Sequence, residues 1–204
     1  MISVIFPTMW KPNFALDTLK EISQNEYVGE IIVIDNSNIE VDLSTIEKIV
    51  HIKESTNIYV NPSWNKGVKL SKYDKILLLN DDVISNWDII SLLYEHITED
   101  KGIIGPDWKC WHDMQTDNPP YLELISHRIN CYGCIMFFHK TSYTYIPDEL
   151  KIYYGDDWIF DRSQKPNFTF NNWRLKGESE ITSGLSEFNE IKNQDKINYY
   201  KLLN

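Results

Sequence analysis

Short apolar runs alternate with polar corners through the first half of the chain. Ile2 to Phe6 (ISVIF) is apolar and β-branched and stops at Pro7, and Ile31 to Ile34 repeats the design before Asp35-Asn36-Ser37-Asn38. Lys48 to Ile52 (KIVHI) and Lys75 to Leu79 (KILLL) share the same plan. Continuous apolar runs of this length, closed by turn residues, predict buried strands. Between them the period lengthens. Phe14, Leu19 and Ile22 predict a helix over Phe14 to Ile22. Asn61-Pro62 reads as an N-cap followed by proline at the first helical position, opening a helix through Trp64 and Val68 to about Ser71. Ser85-Asn86-Trp87-Asp88 has the form of a capping box ahead of Ile89, Ile90, Leu92, Leu93 and Ile97. Gly102 to Gly105 adds a short strand. This alternation predicts an α/β domain with a mostly parallel central sheet and helices on both faces.

After Pro106 the pattern changes. Trp108 to Pro120 is polar, aromatic and turn-rich and predicts a long loop; Ile129 to His139 reads as a strand. A short helix is expected to begin near Asp156, and Asn167 to Leu175 to add a strand. Ser186 to Leu203 predicts a mostly polar terminal helix with Phe188, Ile191, Ile197, Tyr200 and Leu203 as its contacts.

At 204 residues one hydrophobic core is the expectation, without a linker at which to divide it. Twenty basic against thirty acidic residues leave a net charge of -10, which disfavours nucleic acid and anionic lipid as general partners. No run of 18 apolar residues is present, so the reading is a soluble protein of a reducing, cytoplasmic compartment, with peripheral membrane attachment left open. The three cysteines fit that compartment. Cys131 and Cys134, with Cys110, His112 and His127 upstream, have a zinc-like look. Read as part of a strand, however, positions 131 and 134 point to opposite faces, and a redox CxxC would want a helix start. Buried free thiols are expected.

The corners carry the chemistry. In an open α/β sheet ligands gather beyond the carboxyl ends of the strands. Pro7-Thr8-Met9, Asp35 to Asn38 and Asn80-Asp81-Asp82 all fall there. Carboxylates placed directly after ILLL have to meet water, a cation or a hydrogen-bond donor, because an unpaired buried charge is costly. A divalent ion suits such a pair and also suits a diphosphate. A turn or helix cap is the ordinary alternative for Asn80-Asp81-Asp82. Asp156-Asp157, after Gly155, could supply a general base or merely an acidic first helical turn.

In their order and spacing these motifs resemble the GT-A glycosyltransferases of the large family 2 type, especially small rhamnosyl- and galactosyltransferase-like members. Phe6-Pro7-Thr8 matches the opening strand and turn of that family, and Val33 to Ser37 matches V-D-N-x-S loosely. Asn57, Asn61, Asn65 and Gly67 cover its asparagine-rich helix start. Leu78 to Val83 matches L-L-N-P-D-V, Gly133 to Lys140 looks like G-x-x-M-x-x-x-R, and Ile146 to Glu149 with Tyr154 to Asp157 looks like F-D-E followed by Y-G-E-D. The likeness covers roughly residues 1 to 165.

The resemblance implies a single GT-A domain over 1–204, with a nucleotide-binding half (1–106), an acceptor and catalytic half (107–185) and a C-terminal helix (186–204). It implies an inverting, metal-dependent transfer of a sugar from a UDP-, GDP- or dTDP-linked donor to a hydroxyl of a carbohydrate acceptor. Asp82 would ligate Mn²⁺ or Mg²⁺. Pro7, Thr8, Asp35, Asn57, Asn65, Lys66, Asn80 and Asp81 would form the donor site, and Asp157 would be the base with Asp156 beside it. The family's late histidine has no counterpart, which leaves Arg174 and Lys176 as cations for the diphosphate. Trp158 and Trp173 would stack on the acceptor. A homodimer, or a partner enzyme of a glycan pathway, is the protein partner considered. The competing readings are a non-catalytic nucleotide-sugar- or glycan-binding protein of the same fold, and a nucleotidyltransferase-like enzyme. The latter would want glycines after the first strand, which Pro7 to Pro12 lacks.

Overall fold

The computed structural model describes residues 1–112, 114–177 and 186–203. Four strands run parallel in the order β3-β2-β1-β4: β1 (Ile2–Thr8), β2 (Val28–Asp35), β3 (Ile49–Lys53) and β4 (Lys75–Leu79). Helices α1 (Ala15–Ser23) and α2 (Val60–Leu70) lie between them in the chain. A two-stranded ribbon pairs β5 (Val83–Ser85) with β10 (Leu175–Gly177), and α3 (Asp88–Tyr94) leads to β6 (Ile104–Pro106). The sheet continues past β4 as β8-β6-β9-β7, where β7 is Tyr121–Ile125, β8 is Ile135–His139 and β9 is Asn167–Asn171. Helices α4 (Gly155–Arg162) and α5 (Asn189–Leu203) complete the chain order.

The eight-stranded sheet is therefore mixed: most strands share one direction, and β8 and β7 oppose them. β8 runs antiparallel to both β4 and β6, and β7 is antiparallel to β9. The second half of the chain arrives at the sheet from its far edge, so β8 has to turn back to fill the gap beside β4. β7 falls just after the stretch expected as a loop. Its residues Tyr121 and Leu124 are exposed, and an edge strand with so little apolar burial gives no strong pattern in the sequence.

Alternation along the strands builds a core on each face. Val4, Phe6, Leu77 and Leu79 pack with Leu19 and Ile22 of α1 and Ile89, Ile90 and Leu93 of α3. Ile5, Ile76 and Leu78 point the other way, to Trp64 and Val68 of α2, Ile159 and Phe160 of α4, and Tyr199 of α5. Two helix starts differ from expectation. Asn61 lies inside α2, whose N-cap is Tyr59 at φ 70°; Pro62 still falls in the first turn, where its missing N–H is no loss. At α3 it is the Asn86 side chain, not Ser85, that accepts from the helix start, at Asp88 N–H (2.9 Å).

The terminal helix buries a different face from the one expected. Ile197, Tyr200 and Leu203 are exposed, whereas Asp195 and Tyr199 are buried. The preceding turn, Ser186–Phe188, buries Phe188. Residues 178–185, the end of the expected acceptor half, lie outside the described residues.

Gly67 is where α2 meets β1. A Cβ there would lie 2.3 Å from Ile5 Cγ2. Gly67→Ala is expected to lower the unfolding free energy in urea by about 1–3 kcal/mol through overpacking, in spite of alanine's better helix propensity.

Candidate functional site

The carboxyl ends of β1 and β4 lie side by side, since Ile2 to Ile5 pair with Lys75 to Leu78. Beyond these two strand ends opens a cavity lined by Pro7, Thr8, Met9, Asn57, Asn80, Asp81 and Asp82, with Tyr59, Ile152 and Phe188 among its walls. The two aspartates there are held differently. Asp81 is buried and accepts from Thr8 Oγ1 (2.7 Å) and more weakly from Met9 N–H (3.4 Å). Burial pushes its carboxyl up to about 6, against the Thr8 hydrogen bond and with help from the neighbouring Asp82 charge. Asp82 is also raised by burial. Its Oδ1, like Asn80 Oδ1, is buried without a hydrogen-bond partner. Two orphaned hard oxygens beside one cavity form a donor set suited to a small divalent cation. Among the described residues no cluster of three or more His, Cys, Asp or Glu side chains could hold a metal by itself.

A second cavity adjoins the first and shares Val60, Asn80 and Ile152 with it. Its walls include Arg128, Cys131, Cys134, Asp156, Asp157 and Lys192. Arg128 spans both acids: Nη1 is 3.1 Å from Asp156 Oδ2, and Nε donates to Asp157 Oδ1. Burial raises Asp156, and the Arg128 guanidinium opposes that shift. Neither Arg128 nor Lys192 is marked in the sequence. Arg128 lies in a stretch without a motif, and Lys192 sits among the polar residues of α5 where nothing singles it out.

The acid-bearing turn is gripped from two sides. From α5, the buried Asp195 carboxylate accepts the backbone N–H groups of Lys151, Ile152 and Tyr153 at 2.8–3.1 Å. From α2, Asn61 N–H donates to Lys151 C=O (3.1 Å), and Asn61 Nδ2 donates to Tyr153 C=O (3.2 Å). Tyr154 then adopts φ 62°, stacks on Tyr199 and starts α4. Gly155 fits because a Cβ would meet Asn61 Oδ1 at 2.1 Å. Tyr199 in turn donates to Asp161 (2.8 Å).

Other expected site residues lie elsewhere. Asp35 is fully buried beneath the cavity floor, accepting from Ser37 N–H (2.9 Å) and Ser37 Oγ (2.7 Å) and facing His51 Nε2 (3.2 Å); its neighbour Asn36 lines the cavity instead. Asn65 does not reach the cavity. Its Oδ1 accepts from Tyr143 Oη and Ile146 N–H, and its Nδ2 donates to Ile146 C=O. Lys66 is paired with Glu54. Trp173, Arg174 and Lys176 line a separate cavity of about 700 Å³ beside β5, where Trp173 Nε1 donates to Ser85 Oγ (2.8 Å). Trp158 lies outside both acidic cavities. Its Nε1 donates to Tyr145 C=O, and Arg162 lies over its ring at 4.6 Å. Motif order identified the acids, but could not tell which polar neighbours are already spoken for inside the protein.

No family model and no curated protein matches the chain by sequence. Solved structures match it by shape. TarS 1–349 of S. aureus superposes with a TM-score of 0.65 at 13% identity, over 96% of this chain and 64% of that one. The same protein in complex with UDP-GlcNAc gives 0.64 at 13% identity, over 96% and 65%. GalNAc-T7 with UDP, GalNAc and Mn²⁺ gives 0.59 at 11% identity, over 87% of this chain and 43% of that one. The chain thus spans somewhat under two thirds of the TarS fragment. At such identities the likeness shows a shared fold, the α/β arrangement of these glycosyltransferases. No helix among the described residues is long and apolar enough to cross a membrane.

The Asp195 grip generates a prediction. Asp195→Ala leaves three backbone N–H groups without their acceptor and is expected to destabilise the protein by about 3 kcal/mol or more, each such group being worth about 1–3 kcal/mol. Asp195→Asn keeps one acceptor oxygen and should lose less, with both read from urea denaturation midpoints.

Proposed function

We propose that this chain is a metal-dependent, inverting glycosyltransferase of the GT-A type, close in plan to the family 2 enzymes. It moves a sugar from a nucleotide diphosphate to a hydroxyl of a carbohydrate acceptor. The observation that carries the reading is the junction at Asn80: a cavity bearing Asp81 and Asp82 opens beside one bearing Asp156 and Asp157. One cavity suits a donor, the other an acceptor, and the shared wall is where the anomeric carbon would lie. The fold shared with proteins solved with UDP, UDP-GlcNAc and Mn²⁺ supports the same assignment. In this division the nucleotide half comprises residues 1–106 and the acceptor half 107–185.

Pro7, Thr8 and Asn57 line the donor cavity, while Asp35 acts from beneath by fixing the turn that presents Asn36. Asp82, with Asn80 Oδ1, would hold Mn²⁺ or Mg²⁺, the remaining positions being filled by diphosphate oxygens and water. The ion supplies Lewis-acid neutralisation of the departing diphosphate. Asp157 takes the proton of the acceptor hydroxyl as its oxygen attacks the anomeric carbon; the bond to the diphosphate breaks on the opposite face, and the configuration inverts. Arg128 pairs with both acids and holds them at the cavity wall, and must give up its contact with Asp157 as the acceptor enters. Arg174 and Lys176 lie on another cavity and take no part in this assignment, while Lys192 lines the acceptor cavity beside Asp156 and Asp157.

Two variants separate the roles. Asp82→Ala is expected to weaken Mn²⁺-dependent UDP binding at least tenfold in titration calorimetry, while Asp157→Asn binds UDP normally. With a panel of nucleotide-sugars, Asp157→Asn should slow transfer by about 10²–10⁴-fold, the usual contribution of a general base. Equal binding losses in the two variants would sink this division of labour. A wild-type protein that binds donors without turning over any acceptor would favour the non-catalytic reading.

Arg128→Ala offers a further check. It should leave UDP binding intact and lower the rate constant of transfer, because it acts on the acids and not on the nucleotide cavity.

A further inference from the structure

Cys131 and Cys134 take no part in the chemistry above, yet both line the cavity of Asp156 and Asp157. The strand expected over Ile129 to His139 begins only at Ile135. Before it, Cys131 adopts φ 61° and opens a 3₁₀ turn, Tyr132–Cys134, closed by Cys134 N–H donating to Cys131 C=O (3.4 Å). The turn undoes the argument that placed the two thiols on opposite faces. Both now sit on one short turn, with Cys131 exposed and Cys134 partly buried. Nor are they the buried thiols expected; only Cys110 is, with its Sγ on Phe170 C=O.

We propose that Cys131 and Cys134 form a thiol–disulfide exchange site at the mouth of the acceptor cavity, with Cys131 as the attacking thiol and Cys134 as the resolving one. The co-reactant is a low-molecular-weight disulfide. The Cys131 thiolate attacks one of its sulfurs, the S–S bond breaks, and one small thiol leaves with a proton from solvent. Cys134 then loses its proton to solvent and attacks the Cys131 sulfur of the mixed disulfide, expelling the second small thiol. Two protein thiols are oxidised by two electrons and one small disulfide is reduced to two thiols.

Three features assign the roles. Exposure gives the co-reactant access to Cys131 and denies it to Cys134. The Arg128 guanidinium favours charge on Cys131, and Asp156 and Asp82 oppose it. The neighbouring Cys134 thiol, and then Arg128, bring the Cys131 thiol down to about 7. A tight i,i+3 turn also brings two cysteines within the span that a disulfide bridges. The site touches the acids directly: a Cβ at the intervening Gly133 would meet Asp156 Cβ at 2.7 Å. Bridging the cysteines therefore remakes the turn against which Asp156 rests.

The experiment uses the whole chain, oxidised glutathione and intact-mass spectrometry, so that it needs no donor or acceptor. The wild type should become two hydrogens lighter, and peptide mapping should link Cys131 to Cys134 while Cys110 is alkylated only after unfolding. Cys134→Ser should accumulate one glutathione adduct on Cys131, and Cys131→Ser should form neither bridge nor adduct. Thermal melts confirm that each variant is folded. A folded Cys134→Ser protein without an adduct, or a wild type that never bridges, overturns the proposal. A protein that bridges but transfers no sugar in its reduced form defeats the glycosyltransferase reading and leaves this one standing.

Discussion

One buried carboxylate sets where Asp156 and Asp157 stand. Asp195 is almost fully enclosed and accepts three consecutive backbone N–H groups from residues 151–153. Fixed polar partners of this kind make a burial that would otherwise be costly into a rigid joint. With Asn61 holding the carbonyls of the same segment, both hydrogen-bonding edges of a three-residue loop are occupied. The left-handed Tyr154 and the close approach of Gly155 result from that grip, and they fix the direction in which α4 leaves. Asp156 and Asp157, in its first turn, point where the joint aims them.

The corner of Asp81 and Asp82 obeys a different logic. β4 is the most apolar strand of the sheet and ends on polar side chains, because the carboxyl edge is where the sheet meets its cavity. Asp81 is tied back to Thr8 at the end of β1, so the two strand ends are joined by a side-chain hydrogen bond in addition to their ladder. That leaves Asp82 and Asn80, both lining the cavity, each with a buried oxygen that has no hydrogen-bond partner. The division of work within the acidic corner is thus structural for one residue and open to a ligand for the next.

The first half of the fold was legible because its strands are continuous apolar runs and its helices carry a 3.6-residue period. β4 matches expectation to the residue, and α1 and β3 to within one. The second half was less so. β5, β7 and β10 are short and half exposed, and their pairing comes from tertiary placement. The buried face of α5 was misread because its main anchor is an aspartate, which hydropathy counts as a surface residue. Motif order marked the acids of the site, but it assigned ligand roles to Asn65 and Lys66, whose polar atoms serve Ile146, Tyr143 and Glu54. Sequence shows that a side chain can hydrogen-bond. Only packing shows with what.

The Asp195 joint also bears on how the protein is made. Its carboxylate lies 42 to 44 positions downstream of the loop that it holds. During synthesis from the N-terminus the parallel half of the sheet can assemble early, but the three amides of residues 151–153 wait for a partner far later in the chain. The nascent chain therefore acquires its parallel-sheet architecture before Asp156 and Asp157 are locked in place. The final setting of the acidic cavity becomes a late event in biosynthesis, timed by helix α5.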